Sequence, residues 1–441
     1  MNSYKLHYVI IPFIFILFLF SSYFIIAAEL KFNEISLKLS SQLRMRYEHY
    51  DGYGLKKYDP EEEDNLLLER IRIALSFSKA KNEFLFIQLQ DAHAFLTHYT
   101  DNDFPDSNPI EDNLDIRQFY LQWLNIKDSG IGFRIGRQEI SYGDQRLFGP
   151  GAWGNTGRYA WDAAMLKYNS KWINNDLWVG KFLTYKSDNL INKAVKDFIT
   201  IVDYAELKYL PFKLDVFYAY KRDNKKENND GRKNLFLHSF GMQTEINIIK
   251  DFTTIGFTFS YQNGSYKKMK VNAYGLNAKI NLKIPIKYEP RLTCQYTNGS
   301  GDEDPYDNKY QTFDGVYGGR DIYFYGYLNL FFWANLKEYE IDFDIKPSQK
   351  MIFFAQYNYF QLNEAKDGWY STSLKINRRD VSGKAGVYLG KEIDMRLVIA
   401  LSKQIEIMLG GGRFYPGTFI KKTGPAAIAN WFFIQTTIKL F

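Results

Sequence analysis

The stretch LKLSSQLRMRYE (residues 37–48) places Leu37, Leu39, Leu43, Met45 and Tyr47 on one parity and Lys38, Ser40, Gln42, Arg44, Arg46 and Glu48 on the other. Successive side chains of an extended chain point to opposite faces, so a period of two marks a strand with one apolar and one polar face. The same pattern recurs along the chain. In residues 67–78, Leu67, Ile71, Ile73, Leu75 and Phe77, with Glu69 as the lone exception, oppose Arg70, Arg72, Ala74, Ser76 and Ser78. In residues 339–346, Tyr339, Ile341, Phe343 and Ile345 oppose Glu340, Asp342, Asp344 and Lys346. Leu292, Cys294 and Tyr296 alternate with Arg291, Thr293, Gln295 and Thr297, and Ile393, Met395, Leu397, Ile399 and Leu401 with Asp394, Arg396 and Val398.

Turn residues punctuate these runs at Asp128-Ser129-Gly130, Asn263-Gly264, Lys346-Pro347-Ser348 and Leu401-Ser402-Lys403. Longer polar insertions fall at 51–65, 100–113, 222–234 and 299–321. Capped segments with a 3.6-residue period are hard to find, no internal repeat exceeds the strand period, and no interdomain linker stands out. The economical reading is one all-β unit over residues 29–441.

Composition narrows the class. Of 441 residues 46% are hydrophobic, and 36 Phe, 34 Tyr and 8 Trp make 18% aromatic. Disordered chains are poor in such residues. A disulfide framework needs a second cysteine beside Cys294. The net charge of +6 makes no case for nucleic-acid binding; where the basic residues sit matters more. At the N-terminus Lys5 precedes an apolar run from Val9 to Phe20, resumed to Ile26 and followed by Ala27-Ala28-Glu29. That order reads as a secretory signal peptide over residues 1–28, with a retained anchor as the rival. No later stretch of 18 apolar residues exists, which excludes a helical membrane protein.

A soluble sandwich buries the apolar face of its strands; a transmembrane barrel turns that face to lipid. Membrane strands need ~9–11 residues, and short turns on one side alternate with long loops on the other. At roughly 45 residues per hairpin the chain holds about 16–18 strands. The aromatic content fits the girdles of a membrane barrel, and Phe441 closes the final run, 432–441. The expected architecture is a single antiparallel transmembrane β-barrel of about 18 strands.

Signals for catalysis are weak. There is no G-x-S-x-G elbow, P-loop or H-E-x-x-H, and neither a metal nor a cofactor is expected. His93 and His98 read as rim residues and Cys294 as a small apolar residue facing lipid. Asp302, Glu303, Asp304 and Asp307 read as a solvated acidic loop, with calcium as the sharper alternative. More informative are Arg44, Arg46, Arg70, Arg72, Arg291, Lys375, Arg379 and Arg396, which project into the lumen if the apolar parity faces lipid. Rings of Arg and Lys select anions, so these residues are candidate pore-lining and substrate-binding groups. Glu48, Glu340, Asp342, Asp344, Glu392 and Asp394 balance them in the bland reading of a merely solvated wall.

The run GRQEISYGDQRLFGP (136–150), followed by Trp153, Asn155, Arg158 and Asp162, resembles the alginate export family of outer-membrane proteins. SGDEDP (300–305), Thr312-Phe313-Asp314, Tyr325-Gly326-Tyr327, Asn335-Leu336, Trp369-Tyr370, Gly390-Lys391-Glu392-Ile393-Asp394 and FYPGTFI (414–420) support the resemblance in order along the chain. It implies a monomeric 18-stranded barrel in a Gram-negative outer membrane, in contact with its lipid. The barrel would have a narrow, arginine-lined pore exporting an alginate-like polyuronate, a periplasmic plug loop and a tetratricopeptide scaffold docked below. By the same resemblance Arg137, Asp144, Arg146, Arg158 and Asp162 join the pore-lining or loop-anchoring candidates. A passive channel for an anionic polysaccharide or other anionic solute follows; the alternatives are a small-solute uptake porin, a barrel enzyme acting on lipid or polysaccharide, and a surface adhesin.

Overall fold

Every run of alternating residues quoted above becomes a strand, and the strands close on one another. The computed structural model describes residues 29–439 except 56, 80–82, 105, 225–233, 316, 318–321 and 373. The expected signal peptide and Phe441 lie outside the described residues. Within them a single 21-stranded sheet contains eighteen wall strands and three short additions, Glu29–Phe32, Lys193–Ala194 and Lys309–Tyr310.

The wall strands are β1 (Ile35–Asp51), β2 (Glu63–Lys79), β3 (Glu83–Phe95), β4 (Asp112–Trp123), β5 (Ile131–Gln138) and β6 (Trp161–Asn169). They continue with β7 (Ile173–Thr184), β8 (Phe198–Leu207), β9 (Lys213–Asp223), β10 (Leu235–Ile249), β11 (Thr253–Tyr266) and β12 (Met269–Lys283). The last six are β13 (Arg291–Gly299), β14 (Leu336–Ser348), β15 (Met351–Leu362), β16 (Tyr388–Ala400), β17 (Ile405–Pro416) and β18 (Ala429–Lys439). Each pairs antiparallel with its sequence neighbours, and β1 also pairs with β18, setting Arg44 opposite both Arg70 and Thr437. A closed sheet has no edge and leaves no backbone group unpaired toward lipid.

Connections alternate in length. Segments 80–82, 124–130, 170–172, 208–212, 250–252, 284–290, 349–350 and 401–404 join strands at one end. At the other end lie 52–62, 96–111, 139–160, 185–197, 224–234, 300–335, 363–387 and 417–428; the tight turn at 267–268 is the exception. In bacterial outer-membrane barrels the long loops face outward and the short turns face the periplasm. The turn expected at Asn263-Gly264 lies two strand residues early. Gly264 stays inside β11 at φ +147°, where a Cβ would stand 1.9 Å from the Phe236 carbonyl oxygen. Its glycine serves a close approach of β10 rather than a turn.

The outward parity is apolar and exposed, with Ile73, Leu75, Leu121, Ile135, Leu166, Val179, Phe240, Ile341, Ile393, Met395 and Phe432 among its residues. Cys294 is exposed on the same side. The inward parity is polar and buried, and the aromatic core lies inside the barrel near the long-loop end. Trp153, Phe313, Phe331, Trp333, Phe360, Trp369, Phe414, Trp431 and Phe433 form it. A short helix, α1 (Thr418–Thr423), buries Phe419 and Ile420 at that rim.

Candidate functional site: the occupied lumen

Strands β5 and β6 have 8 and 9 residues, against 17 in β1 and β2. Segment 139–160 therefore leaves the wall part-way along the barrel and folds into the lumen. Its first part descends toward the short-turn end. The Tyr142 hydroxyl donates to Asp176 Oδ2 (2.9 Å), and its ring stacks on Tyr204 at 4.1 Å. Arg146 Nη2 donates to Gln295 Oε1 on β13 (3.1 Å), with its guanidinium 4.7 Å from the Phe324 ring. Phe148 lies parallel to Tyr317 and edge-on to Tyr204 and Phe217.

The return half crosses to β1–β4. Arg44 Nη1 donates to Ala152 O (3.1 Å), and its Nη2 donates to Gly154 O (3.0 Å) and Asn155 Oδ1 (3.2 Å). Arg70 Nη1 reaches Gly154 O (3.2 Å), and its Nη2 donates to Gln42 Oε1 (3.0 Å). Arg46 Nη1 donates to Trp153 O (2.8 Å) while its guanidinium stacks 4.0 Å above the Trp153 ring and pairs with Glu48. Asn155 Nδ2 donates to Ile110 O (2.8 Å), and Arg117 binds Glu139 Oε1 (2.8 Å) and Thr156 O (3.3 Å). Gly157, at φ +77°, lets the chain pass Arg117, because a Cβ there would stand 2.6 Å from Nη2. The loop is thus a strap pinned at both ends of a lumen crossing.

A second insertion, 300–335, closes the neighbouring sector. Asp314 accepts from Lys221 Nζ (3.0 Å) and exchanges two hydrogen bonds with Gln262, and the Leu328 N–H donates to Glu392 Oε1 (2.9 Å). Trp333 and Trp369 donate their indole N–H groups to Asn298 O and Leu330 O. Among the described residues, two of the cavities share no lining residue. One, of about 510 Å³, lies toward the long loops and includes Arg46, Glu48, Arg158, Lys221, Tyr317 and Trp431. The other, of about 720 Å³, lies toward the short turns beside Tyr142, Lys167, Asp176, Tyr204, Lys213 and Asp215.

Arginines concentrate on one side of the wall. Strands β1–β4 carry Arg44, Arg46, Arg70, Arg72 and Arg117 inward, together with buried Glu48, Asp64, Asp112 and Asp115; β14 and β16 carry Glu338, Glu340, Asp342, Asp344, Glu392 and Asp394, with Arg396 among them. Arg72 Nε donates to Gln90 Oε1 (2.8 Å) and lies 3.8 Å from Glu139. Within the acidic sector Arg291 pairs with Asp344 (2.6 Å), half exposed at the short-turn mouth. Arg396 is buried with its guanidinium 4.2 Å from the Phe354 ring and 4.8 Å from that of Tyr323.

Several expected positions need correction. Arg44, Arg46 and Arg70 do face the lumen, yet they hold the strap rather than line an open channel. Arg137 and Asp162 pair with each other (2.9 Å) on the parity of Phe119, Ile135 and Ala164, the outward face, near the long-loop rim. There Arg137 also donates to Asn192 O (2.8 Å). The register of β5 with β4 and β6 is unbroken, so the two charges stand on the otherwise apolar parity of Ile131 and Ile135. Lys375 and Arg379 stand in the hairpin Gly368–Tyr370/Ile376–Arg379 above the wall, where Arg379 lies 3.7 Å from Asp367. Asp144 lies within the strap, capping the Arg146 N–H (3.0 Å), and Arg158 lines the upper cavity. The inserted strap comes from the long-loop end, whereas the resemblance implied a plug loop from the periplasmic side.

Arg117 escaped the sequence reading because a register shift between Gln88 and Leu89 puts a bulge at Ile116/Gln118 and breaks the parity of β4, and Glu139 because it stands just past the end of β5, where no strand period applies. His93 and His98 pair with rim carboxylates, Asp91 and Glu62, at 3.0 Å each. Among the described residues no three acidic, histidine or cysteine side chains converge on a metal position.

A closed eighteen-strand barrel with an apolar exterior, a polar lumen and inserted loops is an outer-membrane barrel of the porin type. The chain belongs to the alginate export family, whose model matches residues 35–433. Among solved structures it is similar to the Pseudomonas aeruginosa outer membrane protein OpdK, with TM-score 0.60, 9% identity, and coverage of 91% of this chain and 98% of that one. It is also similar to OpdQ of the same organism (TM-score 0.58, 12% identity, 91% and 98% covered) and to OccD3, or OpdP (0.58, 9%, 94% and 92%). At these identities the likeness concerns the fold. No individually curated protein gives a sequence match.

Proposed function

We propose that this chain is a passive outer-membrane channel for an anionic polysaccharide of the polyuronate kind or for a smaller anionic solute. The observation that carries this reading is the lumen-facing basic row of β1 and β2. Arg44 and Arg70 stand directly opposite each other, and among the described residues every hydrogen-bond partner of Arg70 is neutral. Opposed like charges are unfavourable, and carbonyl acceptors compensate them less well than a carboxylate does. An arriving carboxylate therefore competes for the same N–H groups that hold Ala152 and Gly154. Anion entry and release of the strap become one event, with no covalent step and no cofactor.

Membership of the alginate export family supports the polymeric substrate. The size of the two cavities supports the smaller one, because neither accepts a polymer chain while the strap is seated. The same reading has the barrel work as a monomer in outer-membrane lipid, with a tetratricopeptide scaffold meeting its short-turn end.

Single-channel recording with a short oligouronate as blocker tests the proposal. Block of the wild type, weakened in Arg44→Gln/Arg70→Gln together with a larger basal conductance, is the expected outcome. Absence of block, or block unchanged in the variant, would leave a general small-solute porin as the better account.

A further inference from the structure

On the outer face of β16, Ile393 and Met395 are 41% and 54% exposed and belong to the apolar band. Two residues nearer the long-loop rim the same parity carries exposed Lys391. Tyr415 on β17 is its register partner, and Arg413, also exposed, pairs with Ile393. The Lys391 ammonium lies 5.6 Å and the Arg413 guanidinium 5.5 Å from the centre of the one Tyr415 ring. Two cations thus share one ring, and among the described residues neither has a side-chain hydrogen bond or an ion pair.

We propose that this outward patch binds the phosphorylated headgroup of an outer-leaflet lipid, with Lys391 and Arg413 as its ligands. Its position is that of a headgroup, one step above the apolar band. Tyr359, the register partner of Lys391 on β15, stacks on Tyr388 at 4.9 Å, and Tyr339 lies 6.3 Å from Tyr359, so the patch sits within an aromatic girdle of the kind that marks the membrane interface. Cation–π contact with Tyr415 holds the two cations side by side, but it leaves their mutual repulsion uncompensated. A phosphate resolves it: guanidinium offers a planar two-donor fork and ammonium a compact third donor.

Further positive charge lies toward the loops. Lys421 and Lys422 on α1 and Lys384 in loop 363–387 are all exposed. The acidic groups of this sector are engaged elsewhere. Asp380 accepts from Ser382 and from the Ala385 N–H, and Asp51 accepts from Asn430, the register partner of Arg413. The short-turn end offers a contrast, since Lys283 and Lys346 there share Glu289 at 3.5 and 2.9 Å. The inference needs only the orientation with long loops outward and does not depend on which solute passes.

Native mass spectrometry of the full-length folded barrel tests it, with lipid A carrying both phosphates compared with the same lipid dephosphorylated. The wild type is expected to favour the phosphorylated form by about tenfold, the factor that one or two charge-assisted contacts supply. The preference should vanish in Lys391→Gln/Arg413→Gln, weaken in Tyr415→Leu, and survive in Lys346→Gln. Heat-dependent gel mobility confirms that each variant is a folded barrel. Equal binding of the two lipids by wild type, or an undiminished preference in the double variant, overturns the proposal. Lipid retention is read separately from conductance, so this result and the channel result can fail independently.

Discussion

Arg70 and Arg44 face each other across β1 and β2 and are both almost fully buried, a placement that opposed charges would normally forbid. The strap carbonyls make it tolerable, so each arginine is at once a wall charge and a latch. Removing one latch alone, in Arg70→Gln, should leave the ladder intact and loosen the strap; the expected reading is faster proteolysis within 143–157 with unchanged barrel stability. Unchanged cleavage would mean that Arg44 suffices. A second residue-scale device lies in loop 300–335, outside the wall. Burial, with Asp367 beside it, pushes the Asp302 carboxyl up to about 6, while Arg379 opposes the shift and Asp304 and Asp307 add to it. An open loop would return it to about 3.9. The folded loop therefore holds a proton that the open loop releases between these values, so its packing strengthens as pH falls through 6 and is weakest above it. Hydrogen-exchange protection in 300–335, corrected for the base-catalysed intrinsic rate at each pH, should be greater at pH 5 than at pH 7.5, and Asp302→Asn should abolish the difference. A pH-independent loop in the wild type would contradict the assignment.

At the scale of elements, the strap is expected to open as a unit separate from the wall, because side chains rather than a strand ladder hold most of it. Phe148 is 4% exposed and touches Tyr142, Tyr204, Phe217 and Tyr317, yet no strand hydrogen bond depends on it. Phe148→Ala should remove about 3–5 kcal/mol of packing, the usual cost of emptying such a site. The loss is expected as frequent opening steps in single-channel records rather than as a lower unfolding midpoint. A lower midpoint with quiet records would place Phe148 in the wall's cooperative unit instead. The run 136–150 carried the family resemblance in the sequence, but its destination was not legible. Its anchors are Arg44 and Arg70, about a hundred residues away, and no local pattern encodes a contact of that span. The strands, by contrast, were legible because their period is local: the expected parities of Arg44, Arg46, Arg70 and Arg72 hold. Parity failed where a bulge interrupts β4, which hid Arg117; Arg137 and Asp162 entered through the family resemblance, and the regular register of β5 and β6 puts them on the outer face.

For the whole molecule, the expectation of a barrel with an apolar exterior followed from the alternation of the five runs quoted, and the one-sided distribution of long loops from the lengths of the segments between strands. Because every wall strand pairs with its sequence neighbours, the concentration of inward arginines on β1 and β2 and of inward carboxylates on β14 and β16 follows from the alternation as well. What the alternation could not convey is that buried Asp64, Asp112 and Asp115 sit near those arginines and that the strap covers them. The reversal potential of the purified barrel in a planar bilayer under a salt gradient tests the central claim most directly. The account predicts anion selectivity in wild type, lost when Arg44, Arg46, Arg70 and Arg72 are replaced by glutamine. An unselective or cation-selective wild type, or selectivity untouched by those replacements, would contradict it.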